Sequence, residues 1–136
     1  KQIIMATNPV SIPINGDSSG LIICNAHAAY YQRVTLTWSI LGSQTTVIFS
    51  GSGEGAPMKT QNGLTSYDLP PTRQGYAISA LFEYSPSGPN GPFNNASVKD
   101  PIISSGGGST IITVTSEDSN DQDNNDSYII ITYKSL

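Results

Sequence analysis

One cysteine and one histidine occur in 136 residues, and Lys, Arg, Asp and Glu together make up only 12% of the chain. A lone Cys24 excludes an internal disulfide, and with Ile22 and Ile23 before it the residue reads as a buried free thiol. His27 has no nucleophile or oxyanion donor signalled around it, so a solvated loop histidine is the simplest reading and an enzyme is the least favoured class. Six scattered Lys and Arg make no basic stripe, which argues against nucleic acid as a partner. No apolar run approaches the roughly 18–20 residues of a membrane span, so membrane insertion is not expected either. Internal repeats are absent, and no signal peptide is visible ahead of the domain. That suits a soluble processed chain, exported or held at a cell surface, or an excised domain, and leaves the compartment open.

Glycine and proline are plentiful by contrast, at 13 and 9 residues. With β-branched and aromatic residues in short segments between them, they favour strands over helices. Val34-Thr35-Leu36-Thr37-Trp38-Ser39-Ile40 alternates apolar and hydroxylated residues at the two-residue period of a half-buried strand, which makes Trp38 a core residue. Residues 45–50, 76–84 and 110–115 read similarly, while 70–71, 85–92 and 104–109 read as turns or loops. The expectation is an all-β chain, a β-sandwich of short antiparallel strands, forming one domain over residues 1–136 with the domain proper starting near Met5.

The charge that is present is concentrated. Residues 117–126 hold five of the ten carboxylates and no Lys or Arg, so the net −4 of the chain arises here and the remainder sums to +1. Carboxylates this close lie within the roughly 10 Å screening length of 0.1 M salt, and their repulsion opposes folding unless something offsets it. Asp, Glu and Asn side chains offer oxygen without sulfur or imidazole, the donor set of calcium rather than zinc or copper. An EF-hand loop fails the test: Asp121, Asp123 and Asn125 fit its first, third and fifth positions, but Asp126 stands where Gly is needed and Thr132 where a bidentate Glu is needed. The following segment, Ser127 to Tyr133, reads as a buried strand and not as an exiting helix.

Ser116-Glu117-Asp118, then Asp121, Asp123, Asn125 and Asp126, followed by a ten-residue tail to Leu136, resembles the two-calcium fucose/mannose-binding bacterial lectins of the Pseudomonas and Burkholderia type. A second likeness lies upstream, where Ile12-Pro13 opens a segment closing at Ile22-Ile23-Cys24-Asn25. Ser119 stands where the family usually has Gly, and Leu136 where it usually ends in Gly. The resemblance implies a β-sandwich with two calcium ions, one held by Glu117, Asp121, Asp123 and Asp126, the other by Asn25, Asp123, Asn125 and Asp126. It also implies that the terminal carboxylate of Leu136 serves a neighbouring subunit in a homodimer or homotetramer. Ten residues at roughly 3.3 Å each carry Leu136 about 33 Å from Asp126, too far to return to its own site.

The same resemblance implies a lectin for mannose- or fucose-type glycans, whose vicinal hydroxyls take the place of water on the ions. Asn25, Asp118, Asp121, Asp123 and Asp126 are then positioned to accept hydrogen bonds, and Ala26, His27 and Ala28 form a sugar-contacting loop. In the family a small apolar residue first in this loop goes with mannose, so mannose is the expected preference. Calcium also holds carboxylates ionised, which is unsuited to the raised-pKa acid of a glycosidase. The alternative is a non-catalytic β-sandwich module for assembly or adhesion in which calcium is only structural. Two glycosylation sequons, at Asn95 and Asn125, are discounted because a glycan on Asn125 would block the metal site.

Overall fold

The computed structural model describes residues 5–117 and 127–136, and the chain over these residues is built of antiparallel strands. In order they are β1 (Met5–Ala6), β2 (Val10–Ile14), β3 (Ser18–Ile40), β4 (Ser43–Pro57), β5 (Lys59–Thr60) and β6 (Ser66–Thr72). There follow β7 (Tyr76–Ser85), β8 (Asn94–Asn95), β9 (Ser97–Lys99), β10 (Ile102–Gly106), β11 (Ser109–Glu117) and β12 (Ser127–Ser135). The all-β antiparallel class expected from the turn and strand chemistry is the class observed.

The sheet runs β1-β9-β11-β12-β3-β4-β5, with β10 on β11, β6 on β3, and β7 joining β2, β3 and β8. It curls on itself because β3 is one 23-residue strand that serves both halves. Its first part pairs with β12, from Ser18↔Ser135 to Ala26↔Ser127, and its second part pairs with β7, from Tyr31↔Ser85 to Thr37↔Ser79. Register shifts against β4 between Ala26 and His27 and between Ala28 and Gln32 mark the bend, as bulges generally do.

Side chains alternate along each strand, and one parity faces the interior. Val10, Ile12 and Ile14 of β2, Ile22, Cys24, Val34, Leu36 and Trp38 of β3, and Ile112, Val114, Ile129 and Ile131 of β11 and β12 meet in one core. Trp38 packs edge-on to Tyr67 with ring centroids 5.8 Å apart. Close approach decides one position on β3: a Cβ on Gly20 would lie 2.6 Å from the Thr132 carbonyl oxygen of β12.

Two expected turns are strands. Pro70 and Pro71 lie within β6, which among the described residues pairs with β3 alone and so tolerates residues that cannot donate to a second neighbour. Ser104, Ser105 and Gly106 belong to β10, and the turn contracts to Gly107 and Gly108, at φ 60° and 82°. A two-residue hairpin with positive φ at both positions is what glycine supplies at least cost.

Candidate functional site

The acidic segment is clamped at both ends by the sheet. Ser116 of β11 stands opposite Ser127 of β12, so the chain leaves β11 at Glu117 and re-enters the next strand directly beside its point of departure. Ser116 Oγ donates to the Ser127 carbonyl oxygen at 3.1 Å, and the two hydroxyls share a 2.6 Å hydrogen bond. Both serines are 1% exposed. A buried hydroxyl is tolerated when its partner is fixed, and here each is the other's partner.

The register then carries the segment to β3. Ser127 pairs with Ala26 and Tyr128 with Asn25, while Glu117 pairs with Ser97 on the other side. Two strand spacings of about 4.8 Å separate the β11 and β3 backbones, and Glu117 is level with His27, two residues along from Asn25, so Glu117 and Asn25 stand about 12 Å apart. Glu117 is 4% exposed. Burying a carboxylate is costly unless positive charge or hydrogen bonds compensate it. Asn25 is half-buried, and its Nδ2 donates to the Tyr128 hydroxyl at 3.2 Å. Engaging the nitrogen end leaves the amide oxygen as the end that suits a cation.

The segment expected as a loop after Asn25 is instead part of β3. His27 is half-buried, stands opposite the exposed Glu54 of β4 and stacks on Tyr128 with ring centroids 5.2 Å apart and planes 16° apart. Ala26 and Ala28 alternate inward, Ala26 at 0% exposure within the core. From β3 this rim therefore presents Asn25 and His27, and the small residue expected to face a sugar turns its methyl inward.

Leu136 lies at the other end of β12. Its amide donates to the Asp17 carbonyl oxygen at 3.0 Å and its side chain is 75% exposed. Eight residues of β12 lie between it and Ser127, so it stands at the opposite end of that strand from the acidic segment. Asp118, Asp121, Asp123, Asn125 and Asp126 lie outside the described residues. Among the described residues, no three His, Cys, Asp or Glu side chains gather into a metal-type cluster.

Sequence reasoning missed Tyr128, which engages both Asn25 and His27, and the Ser116–Ser127 clamp. The two-residue period sets Tyr128 and Ile129 on opposite faces, but it does not name a cross-strand partner. Burial pushes the Cys24 thiol well above its ordinary value of 9.0, so this residue stays protonated and stands as the buried free thiol expected.

A model of the fucose-binding lectin II (PA-IIL) family matches residues 10–135. The chain belongs to that family. The match runs through both ends of the acidic segment and through Asn25, so the rim described above lies wholly inside it.

Among solved structures, a high-affinity mannose-binding lectin of Ralstonia solanacearum is similar at a TM-score of 0.59 and 22% identity, over 93% of this chain and 96% of that one. Lectin CV2L of Chromobacterium violaceum, solved with α-methyl-fucoside, is similar at a TM-score of 0.60 and 18% identity, over 93% and 96%. The C-terminal domain of the Burkholderia cenocepacia lectin BC2L-C is similar at a TM-score of 0.58 and 16% identity, over 95% and 97%. At such identities the likeness is one of fold. No curated protein sequence matches the chain significantly.

The donor chemistry fits calcium. Glu117 brings a buried carboxylate to the rim, Asn25 an amide oxygen, and the acidic segment between Ser116 and Ser127 has both its ends fixed beside them. Oxygen donors alone, several of them anionic, are what a hard divalent cation takes.

Proposed function

We propose that the chain is a calcium-dependent lectin for mannose- or fucose-type sugars, with no catalytic role. The observation that carries the reading is the register Ser116–Ser127–Ala26, which sets both ends of the acidic segment of a PA-IIL family chain beside the strand that bears Asn25. The names of its structural relatives, one a mannose-binding lectin and one solved with a fucoside, support the choice of sugar.

In this reading Glu117, Asp121, Asp123 and Asp126 would hold one calcium, and Asn25, Asp123, Asn125 and Asp126 the other. Calcium held there would supply positive charge that attracts vicinal sugar hydroxyls. The chain's own residues do the rest. The Ser116–Ser127 clamp restricts the two ends of the segment, which lowers the ordering entropy that ion binding must overcome. Carboxylates of the segment, Asp118 among them, accept hydrogen bonds from sugar hydroxyls and select among them by geometry. Tyr128 orients Asn25 through its hydroxyl and His27 through its ring.

Assembly is part of the proposal. The outward parity of β10, β11, β12 and β3 carries Ile102, Ile111, Ile130, Leu21 and Ile23, of which Ile102, Ile111 and Leu21 are exposed. A two-fold contact across this face forms a homodimer, and brings the terminal carboxylate of one copy toward the acidic segment of the other. Several sites on one particle raise apparent affinity for a glycan surface by roughly 10²–10⁴.

Titration with methyl α-mannoside and methyl α-fucoside, in calcium and in excess chelator, tests the reading. Heat of binding in calcium that vanishes on chelation is expected. Binding that survives chelation, or that never appears for either sugar, removes the lectin reading and leaves calcium a structural role at most.

A further inference from the structure

Every residue of β10 is exposed, both of its isoleucines included. Ile102 is 68% and Ile103 51% exposed, and as neighbours in a strand they lie on opposite faces of the sheet. Ile103 stands directly opposite Ile112 of β11, which is 0% exposed, so burial on the inward face stops one strand short of β10.

The backbone edge is bare as well. Among the described residues β10 pairs with β11 alone, in a register unbroken from Ile102↔Thr113 to Gly106↔Ser109. The turn at Gly107 and Gly108 has positive φ at both positions, so Gly106 and Ser109 close it as a hydrogen-bonded pair. Bonded and non-bonded pairs alternate from there. Ile102, Ser104 and Gly106 turn their amides and carbonyls to β11, while Ile103 and Ser105 turn theirs outward. The 3.1 Å contact between the Ser105 and Thr110 hydroxyls fits this phase, because side chains stand closer across a non-bonded pair. Proteins guard such an edge with Lys, proline, a bulge or a covering segment. The run Ile102-Ile103-Ser104-Ser105-Gly106 carries no charge, no proline and no bulge.

We infer that β10 is an interface to which the β10 of a second copy adds, antiparallel about a two-fold axis at Ser104. In that register Ile103 of each copy faces Ser105 of the other, and each such pair exchanges both of its N–H···O bonds. The two Ile103 side chains then meet diagonally on one face. Sliding the pairing one way sets Ser105 against Pro101, which has no N–H to give, and sliding it the other way sets Ile103 against Gly107 in the turn. The neutral, self-matching pattern opposes no like charges and selects a second copy over a charged partner.

Five residues are fewer than the roughly 20–30 a side of a stable interface, so the contact rests on the assembly reading above for its strength. Ile102 carries the edge into the outward apolar face, and edge-joined pairs that stack through that face form a tetramer.

Sedimentation equilibrium of the full chain at micromolar concentration compares the wild type with Ser105→Pro, Ile103→Lys and Ile111→Lys. Ser105→Pro removes an outward N–H that β11 does not use, and Ile103→Lys puts a charge on the inward side of the edge. Each is expected to halve the mass of the wild type. In hydrogen exchange the Ile103 amide is expected to exchange about tenfold more slowly in the wild type than in Ser105→Pro. If Ser105→Pro does not fold, Ile103→Lys decides.

A wild-type mass kept by both edge variants, or an Ile103 amide that exchanges as fast in the wild type as in Ser105→Pro, overturns the edge contact and leaves the face contact standing. Halving by the edge variants beside an unchanged mass for Ile111→Lys supports the edge and overturns the face contact instead. A monomeric wild type overturns both, and none of these outcomes bears on sugar binding.

Discussion

Two parts of the one buried core differ in chemistry. Around Trp38, the rings of Tyr67 and Tyr76 pack at centroid distances of 5.8 and 6.4 Å, and the neighbouring burial is apolar. Around Ser116, buried apolar residues such as Val98 and Ala26 stand beside buried polar ones, the hydroxyls of Ser116 and Ser127 and the Glu117 side chain. Aromatic burial stabilises the fold directly by several kcal/mol, whereas a buried hydrogen bond adds only about 0.5–1.5 kcal/mol net. The first part therefore accounts for folding, and the second for holding the ends of a charged segment in place. Cross-strand pairing links them, since β3 runs from one to the other.

The comparison breaks most visibly at Trp38. Trp38→Ala removes the largest ring of the apolar cluster and is expected to cost about 3–5 kcal/mol in a denaturant melt, with calcium restoring little of it. A loss below about 1 kcal/mol would show that the ring does not carry the core.

Glu117→Gln probes the other part and should separate stability from binding. Without calcium the melting temperature is expected to change little, because the amide keeps the size of the side chain and one accepting oxygen. With calcium, affinity should fall by about 10-fold or more, as loss of a charged ligand removes at least about 1.4 kcal/mol. Calcium titration followed by thermal melts reads both. An unchanged calcium affinity would take Glu117 out of the metal set.

The smallest effect is expected at the clamp. Ser116→Ala leaves the Ser127 hydroxyl buried and loses about 1–2 kcal/mol, while the double change Ser116→Ala with Ser127→Ala costs less than the sum of the two singles. Strict additivity in this cycle would mean that the 2.6 Å hydrogen bond contributes no coupling.

Much of the first part was legible in the chain. Alternation around Trp38 and in residues 110–115 named strands and their inward faces, because period two is a local property. The strands missed were those whose residues usually make turns: Pro70-Pro71 at an edge, and Ser104 to Gly106 in a hairpin arm. The continuity of β3 through His27 was missed for another reason. Ala26 to Tyr31 holds neither Gly nor Pro to end a strand, but the resemblance placed a loop there. At the site, the concentration of carboxylates was legible and its partners were not. Which strand stands beside Ser127 is decided by the packing of the whole sheet, and no local pattern reports it.

The central claim is that the segment between Ser116 and Ser127 and the oxygen of Asn25 together hold the ions on which a sugar docks. A crystal grown in calcium with methyl α-mannoside tests it most directly. Two ions are predicted between residues 117–126 and Asn25, about 4 Å apart as shared carboxylates require, with adjacent sugar hydroxyls on them. Calcium bound elsewhere, or a sugar bound without touching an ion, would contradict the account.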